Sequence, residues 1–158
     1  MVIREVNDEN VKIEMDFDIG LISESANQLN LNSESLYVNQ ILMQAFVATR
    51  SDKQQTSIQI IKRGLGYDIE FNGTAVLIQK SELLGDDIFF FEEPFNISSV
   101  YSIATGQLLT LEKGNKNEYF LLGLENKLRY FYQDGILKEF TWFIENTSIS
   151  FTINPNKN

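Results

Sequence analysis

Two pairs of adjacent carboxylates are the residues of this sequence best suited to chemistry. Asp86-Asp87 and Glu92-Glu93 bracket an apolar run at residues 88–91, and two carboxyl groups can supply the acid and base of glycoside hydrolysis. The run is predicted to be a short aromatic strand. Adjacent residues on a strand face opposite sides, so each pair offers only one group per side. The pairs are therefore interpreted as a solvated acidic loop, and no catalytic residue is predicted.

The sequence lacks the residues that other kinds of catalytic and metal-binding site usually require. The sequence has no Cys and no His, so it lacks a thiolate nucleophile, a Cys-based zinc site and the commonest general base near neutral pH. Gly64 and Gly66 lack the third glycine of a dinucleotide fingerprint. Asp16 and Asp18 resemble the start of a calcium loop, but the later ligands are missing. We expect no metal, no cofactor and no enzymatic activity.

Acidic residues are concentrated in the first part of the chain. The net charge is −9, and residues 1–100 carry 16 Asp and Glu against 7 Lys and Arg, while residues 101–158 carry 6 of each. Such a field repels nucleic acid and anionic membranes and attracts basic partners. The charge therefore favours a basic protein partner over nucleic acid or membrane.

The segment 11–19 alternates without exception. Its odd-numbered positions are apolar and its even-numbered positions are Lys12, Glu14, Asp16 and Asp18. This period of two predicts a half-buried strand with an apolar face and an acidic face. Asp68 and Glu70 repeat the pattern in a second predicted strand, which also carries Tyr67.

The predicted fold is α+β, an antiparallel meander forming a sandwich, a half-barrel or a bent sheet. One main helix at about residues 34–49 is predicted to pack on it, because apolar residues recur there at three-to-four spacing without Gly or Pro. Later segments of five to ten residues alternate with turn signals, as in an antiparallel meander. We predict a single globular domain at residues 1–153, followed by a frayed tail at residues 154–158.

Two short motifs predict hairpins. Asn72-Gly73 and Asp134-Gly135 are strong two-residue turn signals between apolar runs. A regular register at the second hairpin would pair Phe131 with Lys138 and alternate cations with aromatics on one face. That face is either an aromatic and cationic binding surface or part of a sheet covered on both sides, unless the register slips.

The N-terminal segment lacks the apolar core of a signal peptide, and no apolar run reaches the roughly 18 residues that a membrane helix needs. A cytoplasmic location is therefore expected.

The leading hypothesis is a non-catalytic acidic protein that binds and neutralises a basic protein. In composition alone, the chain is similar to the small acidic immunity proteins and inhibitors of bacterial toxins and nucleases. One alternative is a β-sandwich or barrel that binds a small apolar or carbohydrate ligand on an aromatic face. Another is an acidic secretion chaperone. The oligomeric state stays open.

Two sets of residues are predicted to contact the partner. Carboxylates would supply the charge, and aromatic side chains would supply the buried anchors. The carboxylates are Glu14, Asp16, Asp18, Asp68, Glu70, Asp86, Asp87, Glu92 and Glu93. The aromatic anchors are Tyr67, Phe89, Phe90, Phe91 and Trp142.

Overall fold

The computed structural model describes residues 1–20, 28–51, 55–123, 126–144 and 147–153. The chain divides into two compact units, each containing one antiparallel sheet. The first unit comprises residues 1–85 and 102–106, and the second comprises residues 86–101 and those from 107 onward. The predicted single domain stays a prediction, and the predicted tail at 154–158 lies outside the described residues.

The first sheet has seven strands, whose spatial order follows the order of the chain. The strands are β1 (Val2–Asn7), β2 (Asn10–Gly20), β3 (Gln28–Val38), β4 (Ile41–Ser51), β5 (Gln55–Arg63), β6 (Gly66–Phe71) and β7 (Thr74–Ile78). Every neighbouring pair is antiparallel. The predicted antiparallel meander is confirmed for this sheet.

The second sheet has six strands, again neighbouring in chain order. They are β8 (Ser99–Ser102), β9 (Gln107–Lys113), β10 (Glu118–Leu122), β11 (Asn126–Gln133), β12 (Ile136–Ile144) and β13 (Thr147–Thr152). A 3₁₀ helix at Asp86–Phe90 precedes them. No helix among the described residues has the length and apolar character that crossing a membrane requires.

The predicted alternation of β2 is confirmed. Ile13, Met15 and Ile19 are buried, whereas Asp16 and Asp18 are exposed. Each apolar side chain leaves water on the inner face, and this burial stabilises the strand in the sheet.

The predicted helix at residues 34–49 is wrong. This segment forms the end of β3 and most of β4, which are joined by a turn at Asn39 and Gln40. Both turn residues have positive φ, at 51° and 64°, the conformation that a two-residue hairpin of type I′ requires.

A β-bulge explains the helix-like spacing. The register passes from Leu36 opposite Gln44 to Tyr37 opposite Leu42, which leaves Met43 as an extra residue. The bulge lets Leu42 and Ala45 both point inward although they are three residues apart. The apolar pattern therefore imitated a helix, while its cause was a local irregularity in a strand.

Replacing Gln40 by glycine distinguishes the observed hairpin from the predicted helix, because the stability of the protein should change in opposite directions. We expect Gln40→Gly to stabilise the protein by about 1 kcal/mol, because a non-glycine residue is strained at this positive φ. In a helix, the same change would destabilise by about 1 kcal/mol. Urea unfolding followed by circular dichroism measures the difference, and a loss of stability would contradict the hairpin.

The two predicted hairpins are confirmed, one in each unit. Asn72 and Gly73 connect β6 to β7, and Asp134 and Gly135 connect β11 to β12. All four residues have positive φ, which suits type I′ turns.

The register of the second hairpin departs from the regular one after two pairs. Gln133 faces Ile136 as predicted, but Tyr132 faces Leu137 and Phe131 then faces Glu139, so Lys138 is bulged. The predicted pairing of Phe131 with Lys138 is wrong, and the alternative of a slipped register is correct.

Candidate functional site

The outward face of the first sheet gathers carboxylates from four strands. We call it the acidic face. The strand registers place on it Glu5, Glu14, Asp16, Asp18, Glu34, Asp68 and Glu70. The described cationic side chains on the same face are Lys12, Arg50 and Arg63, and the Met1 ammonium group donates a hydrogen bond to the Asp16 carbonyl there. Seven carboxylates thus stand against four cationic groups, and this face remains negative.

One cross-strand row gives the acidic face its centre. Glu14 on β2 faces Glu34 on β3, which faces Phe46 on β4, and the row continues through Gln59 to Glu70. The row crosses four strand spacings, about 19 Å. The Phe46 side chain is 50% exposed. Along the row, Glu34 is its neighbour on one side, and Glu70 follows Gln59 on the other side.

A shallow depression of about 360 Å³ lies at the β1–β4 end of this row. Glu14, Asp16 and Glu34 line it, together with Asn32 and the ring of Phe46. An apolar ring beside carboxylates can receive a side chain that has an apolar stem and a cationic head, such as Lys or Arg.

Some of the carboxylates are paired within the chain. Lys12 Nζ lies 2.6 Å from Glu14 and 3.5 Å from Glu34, and Arg63 lies 3.3 Å from Asp68. The hydrogen bond to Glu14, with the negative charges of Glu14 and Glu34, raises the pKa of Lys12. These pairs are exposed, so each contributes little to stability.

The remaining carboxylates have polar partners or face water. Asn30 donates a hydrogen bond of 2.9 Å to Asp18. Asp16 and Glu70 are exposed and form no salt bridge with any described residue. One lysine shared between two carboxylates leaves net negative charge at the centre of the acidic face.

Five of the predicted acidic residues are thus brought together on one face: Glu14, Asp16, Asp18, Asp68 and Glu70. The central ring, Phe46, was missed together with Glu34 because both fell in the predicted helix. If a strand had been predicted there, its alternation would have placed Phe46 on the face opposite to that of its neighbours Ala45 and Val47, which are buried.

Asp86 and Asp87 are buried rather than solvated. They form the first turn of the 3₁₀ helix Asp86–Phe90. Acidic residues suit this position because the first backbone N–H groups of a helix have no hydrogen-bond partner within it. The prediction of a solvated loop is wrong for this pair, and the prediction of a strand at residues 88–91 is also wrong. A buried carboxylate is not accessible to a partner, so this pair does not join the acidic face.

Glu92 and Glu93 lie in the second unit, after the 3₁₀ helix. Glu92 is exposed, while Glu93 is half-buried and accepts a hydrogen bond of 2.8 Å from the Tyr119 hydroxyl. Burial, and then the hydrogen bond and charge of Glu93, raise the pKa of Tyr119 to about 12. Glu93 therefore has a structural contact within its own unit.

The predicted aromatic anchors are largely interior. Tyr67 and Phe89 are fully buried, and Phe90, Phe91 and Trp142 are half-buried. The Tyr67 hydroxyl accepts a 3.0 Å hydrogen bond from the backbone N–H of Leu83. Tyr67 and Phe89 are thus core residues, not exposed anchors.

Aromatic rings of the second unit mainly contact one another. Phe89 and Phe90 of the 3₁₀ helix pack edge-on against Tyr130, and Phe90 also contacts Phe140. The Tyr132 hydroxyl donates a 2.5 Å hydrogen bond to the Phe89 carbonyl. The 3₁₀ helix therefore covers the aromatic face that the alternative hypothesis assigned to a small ligand.

The opposite face of the second sheet combines cations, carboxylates and aromatics. Arg129 lies 2.6 Å from Glu118 and 2.5 Å from Glu139, and these bonds raise its pKa. Lys127 lies 4.2 Å from the centre of the Phe120 ring. The predicted mixture of cations and aromatics is present, but the charges of Arg129 are compensated within the sheet.

The described residues contain no group of three or more acidic side chains arranged to hold a metal ion. The features that remain define a class: a β-rich protein with two antiparallel sheets, one of which presents an acidic face centred on a phenylalanine. The chain belongs to the DUF6134 family, a domain of unknown function whose model matches residues 2–153. No curated protein and no solved structure matches the chain.

Proposed function

We propose that this protein is a non-catalytic binding protein of the cytoplasm whose acidic face engages and neutralises a basic protein. The observation that carries the proposal is the row Glu14, Glu34, Phe46, Gln59 and Glu70, in which carboxylates flank an exposed ring. A basic toxin or nuclease domain is the partner class that suits it, because carboxylates can occupy the place of nucleic-acid phosphates.

The charges and the ring have different parts in this mechanism. Long-range attraction toward the negative face accelerates encounter, and the effect weakens as salt screens it. Phe46 then supplies apolar area at the centre, where a contact excludes water most completely. Lys12 holds Glu14 and Glu34 in place until cations of the partner approach them.

The test compares two triple variants with equal net charge. Glu14→Gln, Glu34→Gln and Glu70→Gln remove charge from the acidic face, whereas Glu9→Gln, Glu82→Gln and Glu112→Gln remove exposed charge elsewhere. A basic protein captured at low salt from the cells that produce this chain is purified and titrated calorimetrically against both.

We expect the face variant to bind at least about 10-fold more weakly, a loss of about 1.4 kcal/mol or more. The control variant should bind like the original chain, and Phe46→Ala should cost about 2 kcal/mol if the ring is an anchor. Equal weakening by both triple variants would mean that only net charge matters. Failure to capture any basic protein would contradict the proposal as a whole.

A small-ligand module and a secretion chaperone remain as hypotheses. The first lacks a supporting observation, since Phe89 and Phe90 already cover the aromatic rings of the second sheet. The chaperone hypothesis was based on an α+β architecture, but β3 and β4 stand where its main helix was predicted.

A further inference from the structure

Strand β7 is the last strand of the first sheet, and within the described residues no strand pairs with its far side. Its sequence, Thr-Ala-Val-Leu-Ile, has no charge and no proline. Val76 is 58% exposed and Leu77 is 60% exposed, although they face opposite sides of the sheet. Edge strands are ordinarily protected by charges, proline or bulges, and β7 has none of these.

The other edge of the same sheet is different. Strand β1 carries Arg4 and Glu5 at its centre, which discourages pairing with a further strand. The edge strand β13 of the second sheet alternates exposed Ser148 and Ser150 with half-buried residues. Of these three edges, only β7 is apolar on both faces.

The hairpin at Asn72-Gly73 determines which backbone groups of β7 point outward. In a two-residue hairpin, the residues that flank the turn exchange hydrogen bonds, and hydrogen-bonded and non-hydrogen-bonded pairs then alternate. Val76, opposite Ile69, therefore bonds to β6. The N–H and C=O groups of Ala75 and Leu77 point away from β6, toward the open edge.

We propose that β7 pairs antiparallel with β7 of a second copy of this chain, with Val76 on the two-fold axis. Ala75 of one copy then exchanges backbone hydrogen bonds with Leu77 of the other, so the outward groups of both are satisfied. Val76 faces Val76 of the second copy as a close, non-hydrogen-bonded pair. The apolar row Ile60, Ile69 and Val76 continues across the axis.

The charges select a second copy as the occupant. A basic partner gains nothing from this strand, because β7 has no carboxylate. A chain with net charge −9 repels its own copy elsewhere, whereas the pairing of β7 opposes no like charges directly. The nearest outward carboxylates, Asp68 and Glu70 on β6, lie three strand spacings from β6 of the second copy. That distance is about 14 Å, beyond the Debye length of about 8 Å at physiological salt.

Cysteine cross-linking tests the pairing and its register directly, because the chain has no cysteine of its own. In the proposed dimer, the Cα atoms of position 76 are about 4.5 Å apart, within the range that a disulfide spans. Val76→Cys should therefore form a covalent dimer under mild oxidation. Val6→Cys is the matched control, since Val6 is 63% exposed on the opposite edge strand β1. Equal cross-linking rates for the two variants would overturn the proposal.

Sedimentation equilibrium gives the second measurement. The original chain should associate to a dimer that tightens as salt rises, and Val76→Lys should be monomeric because two ammonium groups would face each other. Val6→Lys should dimerise like the original chain. An original chain that stays monomeric at concentrations up to about 1 mM, or a Val76→Lys chain that still dimerises, would overturn the proposal.

The two proposals fail separately. Dimerisation through β7 strengthens with salt and depends on Val76, whereas binding of a basic partner weakens with salt and depends on the acidic face. A dimer without a basic partner, or a basic partner bound by a monomer, therefore identifies which proposal is wrong.

Discussion

Between pH 10 and pH 12 the protein is expected to lose most of its stability and to unfold cooperatively. Burial raises the pKa of Tyr101 to about 12, and burial with the Glu93 contact raises the pKa of Tyr119 to about 12. Burial also raises the pKa of Tyr130 and of Tyr132, both of which lie in the same sheet. These phenols stay protonated in the folded protein at a pH that ionises them in the unfolded chain.

The direction of the effect follows from proton linkage. A folded-state pKa above the unfolded value of about 10 means that the folded protein holds the proton more tightly. The corresponding stabilisation is complete below pH 10 and is lost as the pH rises toward 12. For the buried Tyr101, a pKa raised from 10 to about 12 corresponds to about 3 kcal/mol, which is a large share of the roughly 5–15 kcal/mol that stabilises a small domain. The raised pKa of Tyr119 acts in the same direction.

Tyrosinate absorbance and far-ultraviolet circular dichroism measure this transition together. We expect the buried tyrosines to ionise only as the sheet signal is lost, with one common midpoint. Tyr119→Phe, which removes one of these groups, should move the alkaline midpoint upward while costing about 1 kcal/mol at neutral pH through the lost hydrogen bond. Ionisation of all six tyrosines near pH 10 with an unchanged sheet signal would contradict the expectation.

The second large effect is expected at the centre of β2. Ile13 is fully buried on the inner face of the first sheet. Ile13→Ala should lower the free energy of unfolding by about 2–5 kcal/mol, because it removes buried methyl groups and leaves a cavity. Urea denaturation at neutral pH measures this value.

Ile136→Ala is the matched control. Ile136 begins β12 beside the Asp134-Gly135 turn and is 48% exposed, so the same truncation should cost about 1 kcal/mol or less. Similar losses at both positions would mean that the alternation of β2 does not determine which face is buried.

The two proposals are geometrically compatible. A two-fold axis normal to a continuous sheet keeps the outward faces of both copies on the same side. The dimer through β7 would therefore present two acidic faces side by side, each with its own Phe46. A dimeric or multiply charged basic partner would then bind more tightly through both faces at once.

Local patterns alone determined several features of this protein. The uninterrupted alternation of residues 11–19 predicted both faces of β2, and Asn72-Gly73 and Asp134-Gly135 predicted two hairpins. These features depend on neighbouring residues only: the period of a strand is two, and a type I′ turn needs residues that tolerate positive φ. The five carboxylates of β2 and β6 on the acidic face followed from the same alternation.

Only the tertiary structure decided the rest. The bulge at Met43 gives the hairpin of β3 and β4 an apolar spacing that resembles that of a helix. The periodicity of a single sequence does not reveal an extra residue in a strand. Asp86 and Asp87 are buried at the start of the 3₁₀ helix Asp86–Phe90, although their side chains are strongly polar by themselves. Phe46 joins Glu14, Glu34 and Glu70 because four strand pairings align them. Pairing register is a property of contacts between distant segments, so the acidic face exists as a surface only in the folded chain.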